Sequence, residues 1–154
     1  MPESISIPPS WASRSGHTPG DEHMTRTATC RCGQLSATCT GEPVRVSVCH
    51  CYDCQKRSGS AFAFQARFPA DAVTVSGEHK TYEHVGDSGK SASFHFCPTC
   101  GSTLWYHARP HHDLFAIPTG AFADQDFPEP IYSVFEERKH PWVTIAGDGI
   151  EHYD

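Results

Sequence analysis

From Thr25 onward, apolar and polar side chains alternate with a period of two, the repeat of strands that bury one face. In QLSATCTG, Leu35, Ala37 and Cys39 share one side and Gln34, Ser36 and Thr38 the other. In PVRVSVCHC, Val44, Val46 and Val48 oppose Arg45, Ser47, Cys49 and Cys51. In SAFAFQARFP, Phe62, Phe64, Ala66 and Phe68 alternate, and in SASFHFC, Phe94 and Phe96 oppose Ser93, His95 and Cys97. Further short runs follow: DAVTVSG, KTYEHV, STLWYHAR, DLFAIPTG, IYSVFEE and PWVTIAG. Turn residues separate them, and the pattern predicts a mainly β domain of about ten strands in two or more small sheets. Helix is expected only as one or two turns near Tyr52–Ser58 and Pro69–Ala72.

Residues 1–23 break the pattern. They are rich in Pro, Ser and Gly and lack periodicity, so a flexible extension is expected there, followed by a folded domain over residues 24–154. A length of 154 residues suits one domain. Gly 12 and Pro 12 disfavour a helical bundle. The net charge of −6 lacks the basic field that phosphate backbones require, so no nucleic-acid partner is expected. No apolar run approaches the ~18 residues of a membrane-spanning helix. The opening MPESISIPPSWAS has neither a basic start nor an apolar core; a cytoplasmic location with reduced thiols is the expectation.

Reduced cysteines in close groups usually hold metal. Of the Cys 8, seven fall in three groups: Cys30-x-Cys32, Cys49-x-Cys51-x-x-Cys54 and Cys97-x-x-Cys100. A Cys-x-Cys pair on an extended strand sets both sulfurs on one side. In CPTCG, Pro98 sets a turn and Gly101 lets the backbone curl under the second thiolate. Cys30, Cys32, Cys97 and Cys100 together make a four-thiolate zinc site with no open position, a structural site tying the first strand to a late one. The rival reading of CPTC as a redox dithiol lacks its usual βαβ surroundings.

Cys49, Cys51 and Cys54 leave a zinc ion one ligand short, the arrangement that a catalytic site keeps. A substrate thiol could fill the fourth position and be held there as an activated thiolate. Other occupants are His50, read instead as a core or edge histidine, and Cys39, read as plain core packing. His95 is placed nearer the first site, and His107, His111 and His112 read as loop residues. A closed second site completed by a histidine is the structural alternative. The following Gln55-Lys56-Arg57-Ser58-Gly59-Ser60 offers cations and hydroxyls that could receive the carboxylates of a peptide-like thiol, or form a solvated turn.

These residues resemble the glutathione-dependent formaldehyde-activating enzyme (GFA) family, also called the centromere protein V/GFA domain family. The resemblance rests on Cys30-Arg-Cys32-Gly33, Cys49-His50-Cys51 with Cys54, Lys56-Arg57-Ser58-Gly59-Ser60-Ala61-Phe62, Phe96-Cys97-Pro98-Thr99-Cys100-Gly101-Ser102 and His140-Pro141-Trp142-Val143. It implies a β-tent of small antiparallel sheets around zinc, with two zinc ions per chain. Cys30, Cys32, Cys97 and Cys100 match its structural ligands, and Cys49, Cys51 and Cys54 its catalytic ones. It further implies a carbon–sulfur lyase that joins a small, glutathione-like thiol to formaldehyde or a related aldehyde. The alternative is a non-catalytic zinc module that docks a protein partner. No glutathione-contacting residue carries over, and neither the oligomeric state nor the proton donor follows from the sequence.

Overall fold

The structure, a computed structural model, describes residues 24–86 and 88–154; the expected extension over residues 1–23 lies outside them. The strands are β1 (Thr25–Thr29), β2 (Ser36–Thr40), β3 (Arg45–Cys49), β4 (Ala63–Pro69), β5 (Val73–Ser76), β6 (Lys80–Val85), β7 (Ser91–Phe96), β8 (Thr103–Ala108), β9 (Leu114–Pro118), β10 (Tyr132–Val134) and β11 (Glu151–His152). One α-helix, α1 (Tyr52–Ser58), and short 3-10 turns at Ala70–Ala72, Thr119–Phe122 and Glu136–Arg138 complete the described residues.

The mainly β expectation holds, but the sheets are unequal. A three-stranded antiparallel sheet runs β1–β2–β5, beside an eight-stranded mixed sheet ordered β11–β10–β3–β4–β9–β8–β7–β6. The large sheet arises because β9 pairs along its length with β4 and touches β8 at Tyr106↔Ala116, stitching two hairpin systems together. β10 lies parallel to both β3 and β11. PWVTIAG, expected as a strand, forms a turn in which the Val143 amide donates to the His140 carbonyl; Val143 is nonetheless buried.

The core lies between the sheets. Ala28, Leu35, Ala37 and Cys39 of the small sheet join Val46, Ala66, Phe68, Leu104 and Ile117 of the large one. Each fully buried Leu, Ile or Phe contributes about 1.5–3 kcal/mol of transfer free energy. Cys39 is fully buried, as its position beside Leu35 and Ala37 predicts, and burial raises its thiol pKa to about 12. β3 is flanked by β4 and β10, and Val46, Ser47, Val48 and Cys49 are all buried. Cys49 is therefore not on a solvent face, as simple alternation implies, but in the middle of the sheet.

Candidate metal centres

The first cluster sits where the two sheets meet. Cys30 follows β1 and Cys97 follows β7, so the cluster fastens the small sheet to the large one. The sulfurs of Cys30, Cys32, Cys97 and Cys100 all lie within 4.8 Å of one another, with Cys30–Cys32 at 3.5 Å and Cys32–Cys97 at 3.7 Å. Zn–S bonds of ~2.3 Å imply tetrahedral edges of ~3.8 Å, so these spacings fit a tetrathiolate zinc and are far too long for a disulfide.

Backbone amides are arranged to support negative sulfur. The amides of Thr99 and Cys100 point at Cys97 Sγ at 3.4 and 3.5 Å, and the Leu35 amide points at Cys30 Sγ at 3.3 Å. The Gly101 amide closes the knuckle on the Cys97 carbonyl at 2.8 Å, with Gly101 at φ 79°, in the left-handed region that favours glycine. Gln34, unnoticed in the sequence as anything but a polar strand position, donates its Nε2 to Cys97 Sγ at 3.0 Å. Hydrogen bonds from Ser102, side chain and backbone, bring the Cys100 thiol down to about 5. Burial opposes ionisation of Cys97, but the Gln34 amide and the knuckle N–H groups prevail and lower its pKa.

The second cluster is built on the junction of β3 and α1. Cys49 ends β3, Cys51 is the N-cap of α1, and Cys54 lies in its first turn. Their three sulfurs lie within 4.8 Å of one another. Cys51 Sγ accepts from the Cys54 amide at 3.4 Å, the bond an N-cap makes. Hydrogen bonds from the Cys49 and Cys54 thiols, then from the amides of Cys54 and Asp53, hold Cys51 far below the ordinary thiol range. Cys49 is pushed far up because its proton is shared with Cys51 and Cys54 and it is buried. This convergent trio of soft sulfur ligands suits zinc.

Among the described residues, no fourth His, Cys, Asp or Glu joins Cys49, Cys51 and Cys54, and no fifth joins the first group. His50 is buried as expected; its Nε2 meets Ser133 Oγ at 3.0 Å and its ring stands edge-on to Phe62. His111 and His112 lie in turns between β8 and β9. His107 does not: it is within β8, with Nδ1 donating to the Leu114 carbonyl at 3.0 Å and its ring against Phe115. The run STLWYHAR carries the strand through His107, so its reading as a loop histidine is corrected. His95 stacks on Trp105 with centroids 4.6 Å apart and meets Thr81 through Nδ1.

Cys54 also lies on the wall of a cleft of about 560 Å³ between α1 and the β6–β7–β8 face. Alternation puts Tyr82 and His84, Phe94 and Phe96, and Tyr106 on that face, with Tyr82↔Phe94↔Tyr106 in one cross-strand row. Asp53 of α1 meets His84 of β6 at 3.2 Å across the cleft. The Arg57 guanidinium lies 5.0 Å from the Tyr106 ring centroid and 5.7 Å from that of Phe94. Gln55, by contrast, is a clamp: its Nε2 donates to the His50 and Arg138 carbonyls, and its Oε1 faces His140 Nε2. Ser58 is likewise spent on carbonyls of its own turn. Of the stretch expected to meet carboxylates, Lys56 and Arg57 alone line this cleft.

Residues 25–138 match the family model described as glutathione-dependent formaldehyde-activating enzyme. Among curated proteins, none matches. A crystal structure of a Rhodobacter sphaeroides protein is similar at 22% identity, covering 62% of this chain and 85% of that one, with a TM-score of 0.49.

Proposed function

The chain belongs to the glutathione-dependent formaldehyde-activating enzyme family, and from that premise we infer that it is a zinc-dependent carbon–sulfur lyase-type enzyme joining a small thiol to formaldehyde or a related small aldehyde. One observation carries the reading. Cys49, Cys51 and Cys54 converge without a fourth protein ligand among the described residues, and Cys54 opens on a cleft. Cys30, Cys32, Cys97 and Cys100 are the ligands of a structural zinc, giving two zinc ions per chain over a domain of residues 24–154. Zinc held by the second trio would supply a Lewis-acid centre that keeps a bound thiol ionised near neutral pH.

The overall reaction adds R–SH across a carbonyl: the C–S bond forms, the C=O π pair moves to oxygen, and that oxygen takes a proton. The chain's own residues bind and orient. The Phe94, Phe96 and Tyr106 rings exclude water from the wall beside Cys54. Tyr106 keeps its proton, since burial lifts its pKa to about 12, and its hydroxyl is the candidate hydrogen-bond donor to developing negative charge on oxygen. The expected substrates are small molecules and the expected location cytoplasmic; no helix among the described residues is long and apolar enough to cross a membrane.

Exchange between glutathione, formaldehyde and their adduct, followed by NMR with fully zinc-loaded protein, tests the reading. Acceleration over the spontaneous rate, lost in Cys54→Ser, is expected; no acceleration with any small thiol rejects it. One observation favours the alternative of a docking module: Tyr52, Phe135 and Trp142 are exposed beside Arg138 and His140 on the outer side of α1. Zinc K-edge spectroscopy during a thiol titration separates the two, because only an open centre gains a sulfur.

A further inference from the structure

Arg57 lies on the wall of the cleft beside Cys54. Arg26 and Arg138 have carboxylate partners, Glu42 and Glu137. Arg57 makes no hydrogen bond or ion pair with a described residue. It is half-buried, with its guanidinium over the Phe94 and Tyr106 rings. A guanidinium that gives its face to aromatic rings keeps its N–H groups in the plane for an anion. It also lines a second cleft, of about 570 Å³, that shares Arg57, Gly101 and Thr103 with the first. Arg57 is therefore an unpaired cation on the wall that the two clefts share.

Its distance from the thiol trio limits what can bind. Cys54 and Arg57 are at i and i+3 on α1, neighbours with Cβ atoms about 5–6 Å apart. A ligand that brings sulfur to the Cys54 end and a carboxylate to Arg57 has these groups only a few bonds apart. The rest of it lies against Phe94, Phe96, Tyr106 and Tyr82. Rings offer little to peptide groups, and buried polar groups without partners are costly. Of the other ionisable groups on the wall, Asp53 and His84 meet each other at 3.2 Å, and Lys56 is exposed. Glutathione brings two carboxylates, an ammonium and two peptide links, with its sulfur far along the chain from either carboxylate.

We propose that this cleft selects a short mercapto-carboxylic acid bearing an aromatic or branched apolar body, with Arg57 binding the carboxylate edge-on and the Tyr82–Phe94–Tyr106 row binding the body. This rests on the catalytic reading above and names its substrate class. Arg57 is a specificity-determining residue in this scheme.

The test uses probes that carry no free thiol, so that binding is independent of metal chemistry. Calorimetry on the full zinc-loaded chain compares 3-phenylpropanoate, 3-phenylpropanol and S-methylglutathione. The acid is expected to bind about tenfold or more tightly than either other probe. Arg57→Met should weaken the acid about tenfold and leave the alcohol unchanged; Arg57→Lys, which keeps charge but not the planar fork, should fall between. If Arg57→Met does not fold, Arg57→Lys decides alone, and unchanged acid binding in it overturns the proposal. Tighter binding of S-methylglutathione, or no saturable binding of the acid, also overturns it. Acid binding without catalysis on any thiol rejects the catalytic reading alone. Catalysis with glutathione and no acid binding rejects only this proposal.

Discussion

At the scale of single residues, the first cluster depends on a side chain that is not one of its ligands. Gln34 Nε2 reaches Cys97 Sγ at 3.0 Å and the Glu78 carbonyl at 2.7 Å, while its Oε1 receives the Glu78 amide at 2.9 Å. The strands come this close because Gly77 sits at φ +106°, where a Cβ would stand 2.1 Å from the Gln34 carbonyl oxygen. Gln34 thus fixes the chain after β5 and one sulfur with the same amide. Groups that orient metal ligands typically matter about 10–100-fold in affinity, and a hydrogen bond to a charged acceptor contributes about 1.5–3 kcal/mol. Gln34→Ala, with all four cysteines intact, should release metal to a competing chelator about 10–100-fold more readily. Equal release from both proteins would show that the N–H···S contact is incidental.

At the scale of elements, the parallel β10 and β11 are short and need a clamp. Glu136 supplies it: Oε1 accepts from Ser133 Oγ of β10 at 2.6 Å and meets His152 Nδ1 of β11 at 2.6 Å, while Oε2 takes Lys139 Nζ at 3.3 Å. Burial alone would raise this carboxyl, but bonds from His152, Ser133 and Lys139 outweigh it and lower its pKa from 4.5 to about 2. A folded-state pKa below the unfolded one gives stability that is present above pH ~4.5 and is lost as pH falls towards ~2. Glu136→Gln should therefore melt lower than the parent at pH 6 by about 1 kcal/mol, or roughly 2–4 °C, after screening at exposed His152 is allowed for. The gap should close as the pH falls from 4.5 to 2; a constant gap in melting scans would rule out the ionised clamp. None of this was legible in IYSVFEE, which reads as one longer strand. Local signals revealed the strands β1 to β9, the buried Cys39 and the helix turn at Tyr52–Ser58. The stitching by β9 and the free guanidinium of Arg57 depend on which distant segments meet, and no local pattern carries that.

At the scale of the whole molecule, the two clusters hold different things together. The four-thiolate cluster draws on both ends of the fold: Cys30 and Cys32 beside the small sheet, Cys97 and Cys100 beyond β7 of the large one. Opening it frees the sheets to separate and exposes the core formed by Leu35, Phe68, Leu104 and Ile117. The three-thiol cluster is local, spanning only the step from β3 into α1, and β3 stays pinned by β4 and β10 without it. Binding free energy at a structural zinc is folding free energy, of order 10 kcal/mol in small zinc domains, while a three-ligand site next to a cleft gives a chelator direct access. Metal should therefore leave in two stages as chelator is added to the zinc-loaded protein. The first equivalent should come away with near-ultraviolet circular dichroism intact, and the second with loss of tertiary signal and release of a buried Cys39 thiol to a thiol reagent. In Cys54→Ser the first stage should vanish while the second keeps its midpoint. A single-stage release with unfolding from the start would mean that both clusters support the fold, and that the cleft-side trio is structural too.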